Sequence, residues 1–347
     1  MIVAVDLFCG AGGLTRGLEQ AGINVRAGYD IDQASAYAYG ANNKATFILR
    51  DVADVNGQEV RTHFAGAQYT LLAGCAPCQP FSSYANMARN KSDKWDLLRH
   101  FSRLVEETSP NFVTMENVPN LEQQPIFLQF LSALTKAGYQ YTYQIVFCPD
   151  YGIPQRRRRL VLLASKGGSI ALIPATHKKT DYLTVKTAIG HLPKLKAGET
   201  DKDDPLHTAS RLSPLNMQRI RHSRPNGTWR DWPQELVTQC HKKQTGKSFP
   251  SVYGRMAWDK PSPTITTQAY GFGNGRFGHP EQDRALSLRE AALLQTFSED
   301  YKFLPPDRKI TMRALGTLIG NAVPVRLGEI IGQSFQAYRS GTARRFL

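Results

Sequence analysis

The sequence predicts an α/β fold, a doubly wound parallel sheet accompanied by a smaller, loop-rich second domain. Three observations carry this expectation. In the first 165 of 347 residues, short apolar runs alternate with segments of helical spacing, the rhythm of βαβ units. Most of those runs deliver a polar residue at the carboxyl end, where open α/β sheets place their ligand sites. Beyond about residue 170 the periodicity gives way to a stretch rich in Pro, Lys, Arg, Thr and His.

Taken in order, the apolar runs fall at 2–5, 25–29, 47–49, 69–73, 112–115 and 160–164. Between them Leu14, Leu18 and Ala21 repeat at helical spacing, as do Phe127, Phe130, Leu131 and Leu134. Segments 288–297 and 311–335 return to that spacing, and the last is expected to pack back on the first domain. This divides the chain into a first domain at 1–172, a second at 173–284, and a return to the first at 285–347.

The N-terminus, Met1-Ile2-Val3-Ala4-Val5-Asp6, has neither the basic flank nor the apolar length of a signal peptide. No uninterrupted apolar run of about 18 residues predicts a membrane span. Five cysteines, at 9, 75, 78, 148 and 240, are too few and too irregular for a disulfide framework. A cytoplasmic, reducing setting is expected.

The net charge of +14 is unevenly placed. Residues 1–150 hold 11 basic against 14 acidic side chains; residues 151–260 hold 21 against 8, a net of +13. Such concentration points to a polyanion partner, although charge alone is equally explained by a solvated basic face.

Four motifs carry chemistry. Asp6-Leu7-Phe8-Cys9-Gly10-Ala11-Gly12-Gly13 follows a strand and precedes a helix, so its glycines let backbone approach a ligand. Thr15 stands where a dinucleotide fingerprint wants its third glycine, which speaks for an adenosine-type cofactor without pyrophosphate gripping. Asp30, ending the next strand, is placed for ribose hydroxyls. Gly74-Cys75-Ala76-Pro77-Cys78-Gln79-Pro80 contains a C-x-x-C. Zinc would need further ligands, and a redox pair would open a helix rather than a Pro-rich loop. A single nucleophile at Cys78 fits better. Met115-Glu116-Asn117-Val118-Pro119 sets a carboxylic acid at a strand end, a candidate proton donor. Gln155-Arg156-Arg157-Arg158-Arg159 leads into a strand, where alternation would turn Arg157 and Arg159 to one face.

Together with Gly320-Asn321-Ala322-Val323-Pro324, Arg289-Glu290-Ala291-Ala292 and segment 255–267, these motifs resemble the cytosine-C5 DNA methyltransferase family in its own order across residues 6–325. The resemblance implies a Rossmann-like methyltransferase domain that binds S-adenosylmethionine, with a target recognition domain in the basic segment. It places Phe8, Gly10, Gly12 and Gly13 in the cofactor loop and Asp30 on the ribose. Ile31 and Val52 are then set against the adenine, Asp51 near its amino group, and Asn321 closes the site. Cys78, Glu116, Arg157 and Arg159 become the catalytic set, without a metal. Enzymes that methylate an exocyclic amine carry an Asp/Asn/Ser-Pro-Pro-aromatic loop, whereas Ala76-Pro77-Cys78-Gln79 favours carbon methylation.

The chemistry agrees with that assignment. C5 of cytosine is a poor nucleophile until a thiolate adds at C6, and no such attack is open on a stacked base, so the base must be flipped out. The partners expected are double-stranded DNA and a restriction endonuclease of the same specificity, with the enzyme a monomer and no membrane involved. Two other readings stand beside this one: an RNA (tRNA) cytosine-C5 methyltransferase of the same fold, and a non-enzymatic, cofactor-sensing DNA-binding protein. Base readout is expected within 219–230, 242–247 or the 271–279 loop, where Arg276 could enter a groove.

Overall fold

The computed structural model describes residues 1–77 and 96–341. The chain runs through β1 (Ile2–Leu7), α1 (Gly13–Gln20), β2 (Asn24–Asp30), α2 (Ser35–Asn42), β3 (Thr46–Leu49), α3 (Gly57–His63) and β4 (Tyr69–Gly74). It continues through α4 (Asp96–Thr108), β5 (Phe112–Asn117), α5 (Pro125–Lys136), β6 (Gln140–Phe147) and β7 (Arg158–Ser165). The seven strands form one sheet in the order β3-β2-β1-β4-β5-β7-β6. Winding goes outward from β1 to β3 and resumes with β4 on the other side of β1, so β1 and β4 flank the topological switch point. Every expected run lies inside an observed strand.

One expectation needs correction. The sheet is mixed rather than parallel, because β7 is antiparallel to both β5 and β6. That reversal brings the start of β7 to the edge where β5 ends: Glu116 pairs with Val161 and Asn117 with Leu160. The apolar positions of the strands meet those of the helices in a core that includes Leu7, Tyr29, Phe101, Phe127 and Phe130.

The remaining helices are α6 (Val185–Ile189), α7 (Pro214–His222), α8 (Gln239–Lys242), α9 (Leu288–Leu294), α10 (Met312–Asn321) and α11 (Val325–Arg339). The chain divides into two compact units. The first comprises Met1–Tyr151, Arg158–Thr176 and the chain from Ala322 onward; the second comprises Gly152–Arg157 and His177–Asn321. The sequence placed the return to the first domain at residue 285, whereas the units part at Ala322. The reason is local: Glu290 takes two bonds from the buried Arg284 (2.8 and 2.6 Å), and Arg289 grips Asp204 at 2.6 Å. These pairs tie α9 into the second unit.

Within the first unit α11 lies directly on α1. A Cβ on Gly17 would sit 2.2 Å from the Val325 carbonyl oxygen, and one on Gly328 would sit 2.9 Å from that of Leu14. Residues 312–339 are together long and apolar enough to cross a membrane, but most of the stretch is buried inside the protein and Pro324 divides it into two helices. The second unit has its own core around Ile220, Trp229, Trp232, Leu236 and Phe272. Among its described residues the only strand pairing is in isolated bridges.

Candidate active site

The loop leaving β1 is bent by three left-handed residues, Phe8 (φ 60°), Gly10 (φ 51°) and Gly12 (φ 87°). Glycine accepts this conformation at little cost. Phe8 does not, and strain of about 1–3 kcal/mol at a non-glycine residue collects at ligand-binding turns. The turn is fixed by the Cys9 amide donating to the Tyr29 carbonyl (3.0 Å) and the Gly12 amide donating to that of Cys9 (2.9 Å). The Gly10 amide donates to Asp30 Oδ2 (2.8 Å), while Asp30 Oδ1 accepts from the Asp32 amide (2.8 Å). Burial pushes the Asp30 carboxyl upward, against the lowering effect of those two amides.

Several expected cofactor residues thus follow the carboxyl ends of adjacent strands. Asp30 ends β2, Ile31 follows it with 68% of its surface exposed, and nothing lies within 4 Å of the position a Gly10 Cβ would take. Beyond β3, Asp51 Oδ1 accepts from the Ala53 amide (2.9 Å) and Val52 is buried. Gly13 opens α1 and is buried.

Deeper in, Asp6 is wholly buried within β1 rather than at its tip. Thr15 Oγ1 donates to its Oδ2 (2.7 Å) and lies 3.0 Å from the Tyr39 hydroxyl. Asp6 Oδ1 has no hydrogen-bond partner. Burial lifts the Asp6 carboxyl to about 7, helped by the nearby charge of Asp30 and opposed by the Thr15 bond.

A second cluster forms where β5 ends. Glu116 is 2% exposed; its Oε1 pairs with Arg159 Nε at 2.9 Å, and its Oε2 accepts from Cys75 Sγ at 2.8 Å. Asn117 Nδ2 donates to the Ala76 carbonyl (3.1 Å), so the loop after β4 is tied to β5 by two consecutive side chains. Cys78 and Gln79 lie outside the described residues. The sequence motifs weigh Cys75 only as a partner in C-x-x-C and Thr15 only as a missing glycine, and give Asn117 and Tyr39 no role; for Asn117 the polar residue at a strand end was the available signal.

Arg157 takes a different place from the expected one. β7 begins at Arg158, so strand alternation does not reach back to Arg157. Its Nη1 donates to the Ile265 carbonyl (3.1 Å) in the second unit, where Gln155 accepts from the Ile265 amide (2.8 Å) and donates to Gln295 (2.8 Å). Asn321 ends α10 in the same unit and is exposed.

The C-5 cytosine-specific DNA methylase family model matches residues 2–337. The chain belongs to this family. It is similar to the type II methylase M.HgiDII of Herpetosiphon aurantiacus, 49% identical over 98% of this chain and 97% of that one. The type II methyltransferase M1.HphI of Haemophilus parahaemolyticus is 31% identical over 95% and 85%. Among solved structures, an Escherichia coli prophage protein described as a DNA modification methyltransferase aligns with a TM-score of 0.75 at 22% identity, covering 98% of this chain and 100% of that one. A DNMT2 variant of Spodoptera frugiperda aligns at 0.67 and 15% identity, covering 96% and 100%; both likenesses support the fold. With the family come the activity, DNA cytosine-5 methylation, and the cofactor, S-adenosylmethionine. The first unit fits that cofactor: a half-buried carboxylate at Asp30, a bare backbone at Gly10 with open space over it, and an exposed apolar side chain at Ile31.

Proposed function

We propose that this enzyme methylates C5 of a flipped cytosine through a covalent Cys78–C6 adduct, as the modification partner of a restriction endonuclease. Supporting this most directly is the buried Glu116 carboxylate, which ends β5 and has the Arg159 guanidinium 2.9 Å away. Phe8, Gly10, Gly12, Gly13, Asp30, Ile31, Asp51, Val52 and Asn321 are the residues we assign to holding the cofactor. The cofactor supplies an electrophilic methyl group, which the activated C5 accepts.

In the proposed sequence the Cys78 thiolate adds to C6, and the C5–C6 π electrons move into the ring. Glu116 delivers a proton to N3, neutralising the charge that develops there and leaving C5 enamine-like. Arg159 holds the O2 carbonyl and, as the counter-ion of Glu116 once the proton has gone, stabilises the resulting carboxylate. After alkylation a water molecule takes the C5 proton, whose bonding pair re-forms the C5–C6 double bond as the Cys78–C6 bond breaks to return the thiolate, and N3 gives its proton back to Glu116. The position of Arg157 supports a positioning role, holding the segment around Ile265, rather than contact with the base.

The first unit is read as the catalytic part and the second, with its surplus of Arg and Lys, as the part that recognises DNA. Flipping costs a few kcal/mol, which phosphate contacts from a basic surface offset. A monomer acting in the cytoplasm on duplex DNA completes the proposal. It is tested by incubating the protein with methyl-labelled S-adenosylmethionine and either duplex DNA or tRNA, then digesting to nucleosides. Label in 5-methylcytosine from DNA is expected, and Cys78→Ser is expected to abolish it while retaining cofactor binding. Label appearing only in tRNA, or turnover surviving in Cys78→Ser, overturns the substrate or the covalent step respectively.

A further inference from the structure

The second unit is rich in arginine, and its structure separates guanidiniums that hold the chain, Arg255 and Arg219 among them, from Arg276. Arg255, 4% exposed, donates to the carbonyls of Ser223 (3.0 Å), His279 (2.9 Å), Gln282 (2.8 Å) and Ile220 (2.7 Å) and to Asp283 Oδ1 (2.8 Å). It thereby staples three chain segments, which also meet through the bridges Pro225–Arg255 and Arg255–Gly278. Arg219 bonds the Leu236 carbonyl (2.8 Å) and lies over the Trp232 and Tyr253 rings. Both side chains are occupied by the fold.

Arg276 is held instead of holding. Its side chain lies along the bare backbone of Gly254, where a Cβ would sit 2.8 Å from Arg276 Cγ and 3.0 Å from Nε. Nη1 donates to Asn226 Oδ1 at 2.9 Å. Asn226 is itself fixed, in a left-handed conformation (φ 63°) with its amide donating to the Arg255 carbonyl (2.8 Å). The Arg276 Nε is buried without a hydrogen-bond partner. Its charge is opposed by the neighbouring Arg156 and favoured by Asp231, and no carboxylate among the described residues forms an ion pair with it. A guanidinium fixed along its length, its charge disfavoured first by partial burial and then by Arg156, calls for an acceptor-rich ligand.

We infer that Arg276, aimed by Asn226 and Gly254, reads a guanine of the target duplex through its major-groove edge. The inference rests on the reading of the second unit as the DNA-recognition part. A phosphate contact acts through charge and tolerates a swinging side chain; the exposed Lys194 and Lys196 would suffice for it. Discrimination requires direction, because the guanidinium fork matches the O6 and N7 acceptors of guanine and no other base pair offers them in that arrangement. The Arg255 staple supplies the rigid base on which such direction depends. Asn226 and Gly254 are accordingly positioning residues.

The experiment maps the wild-type target on randomised duplexes, then measures kcat/KM for Arg276→Ala, Arg276→Lys and Asn226→Ala on duplexes altered one base pair at a time, across a salt series. Cofactor binding reports that each variant is folded. For Arg276→Ala we expect a loss of about 10- to 100-fold on the mapped sequence, with discrimination vanishing at one G·C pair and kept at the others. Arg276→Lys should restore charge without restoring discrimination, and Asn226→Ala should weaken discrimination at that same pair. A uniform loss on every duplex, with the salt slope reduced by about one, would make Arg276 a phosphate contact and overturn the inference. Unchanged discrimination overturns it too. A wild-type enzyme that methylates every cytosine alike would instead overturn the reading of the second unit.

Discussion

Replacing Asp6 by Asn isolates the pH dependence that one buried carboxylate imposes on folding. Asp6 has the ordinary carboxyl pKa of about 3.8 in the unfolded chain, and burial lifts it to about 7 in the folded one. Between those values unfolding releases a proton, so stability falls as pH rises through the window, is level below it and is level again above it. Each unit contributes about 1.4 kcal/mol, which over roughly three units amounts to about 4 kcal/mol of stability present at pH 4 and lost by neutrality. Because Asp6 is fully buried, solvent screening takes little from this figure. The Asn variant keeps an acceptor for Thr15 but cannot ionise, and any constant offset cancels when each protein is compared with itself. Urea unfolding at intervals from pH 4 to 8, followed by circular dichroism, measures it. The wild type should lose stability relative to Asp6→Asn by several kcal/mol across the range. Parallel curves would refute the assignment of a buried, protonated Asp6.

Arg159→Met should destabilise the first unit by about 3–5 kcal/mol, since it strips the counter-ion from the buried Glu116. Combining it with Glu116→Gln should recover most of that loss in urea unfolding without recovering turnover; a double variant as unstable as the single one would deny the coupling. Gly17→Val places atoms where the Val325 carbonyl stands, 2.2 Å from the would-be Cβ, and should force α11 off α1. A loss of about 1–3 kcal/mol or more is expected, with weakened cofactor binding measured by calorimetry, and an unchanged titration would count against it.

Six strands could be read from their apolar runs because each of those runs is closed off by a turn-forming or polar residue. The seventh, β6, shows its Tyr, Thr, Ile and Val in sequence, but Tyr143 and Ile145 are among the exposed large side chains, so the run did not announce a buried strand. Glu116 and Arg159 were both legible as residues near the ligand edge. Their meeting was not, because it depends on β7 running backwards and on a register that pairs Asn117 with Leu160. The same letters that suggested Arg157 and Arg159 as a pair hid the strand boundary between them. Asp6 was read as a strand tip; its burial and its Thr15 partner depend on how closely α1 and α2 cover β1, which single-residue patterns do not encode.

The contact between Gly17 and Val325 ties the order of synthesis to the acquisition of function. The helix that begins at the glycine turn after β1 has its packing partner about three hundred residues later, after the entire second unit. At ordinary translation rates that interval lasts on the order of tens of seconds. A nascent chain therefore carries a β1–α1 turn whose outer support has yet to leave the ribosome. If that turn holds the cofactor as proposed, competence to bind it arrives last, and a ribosome-bound or truncated chain lacking α11 should bind S-adenosylmethionine weakly.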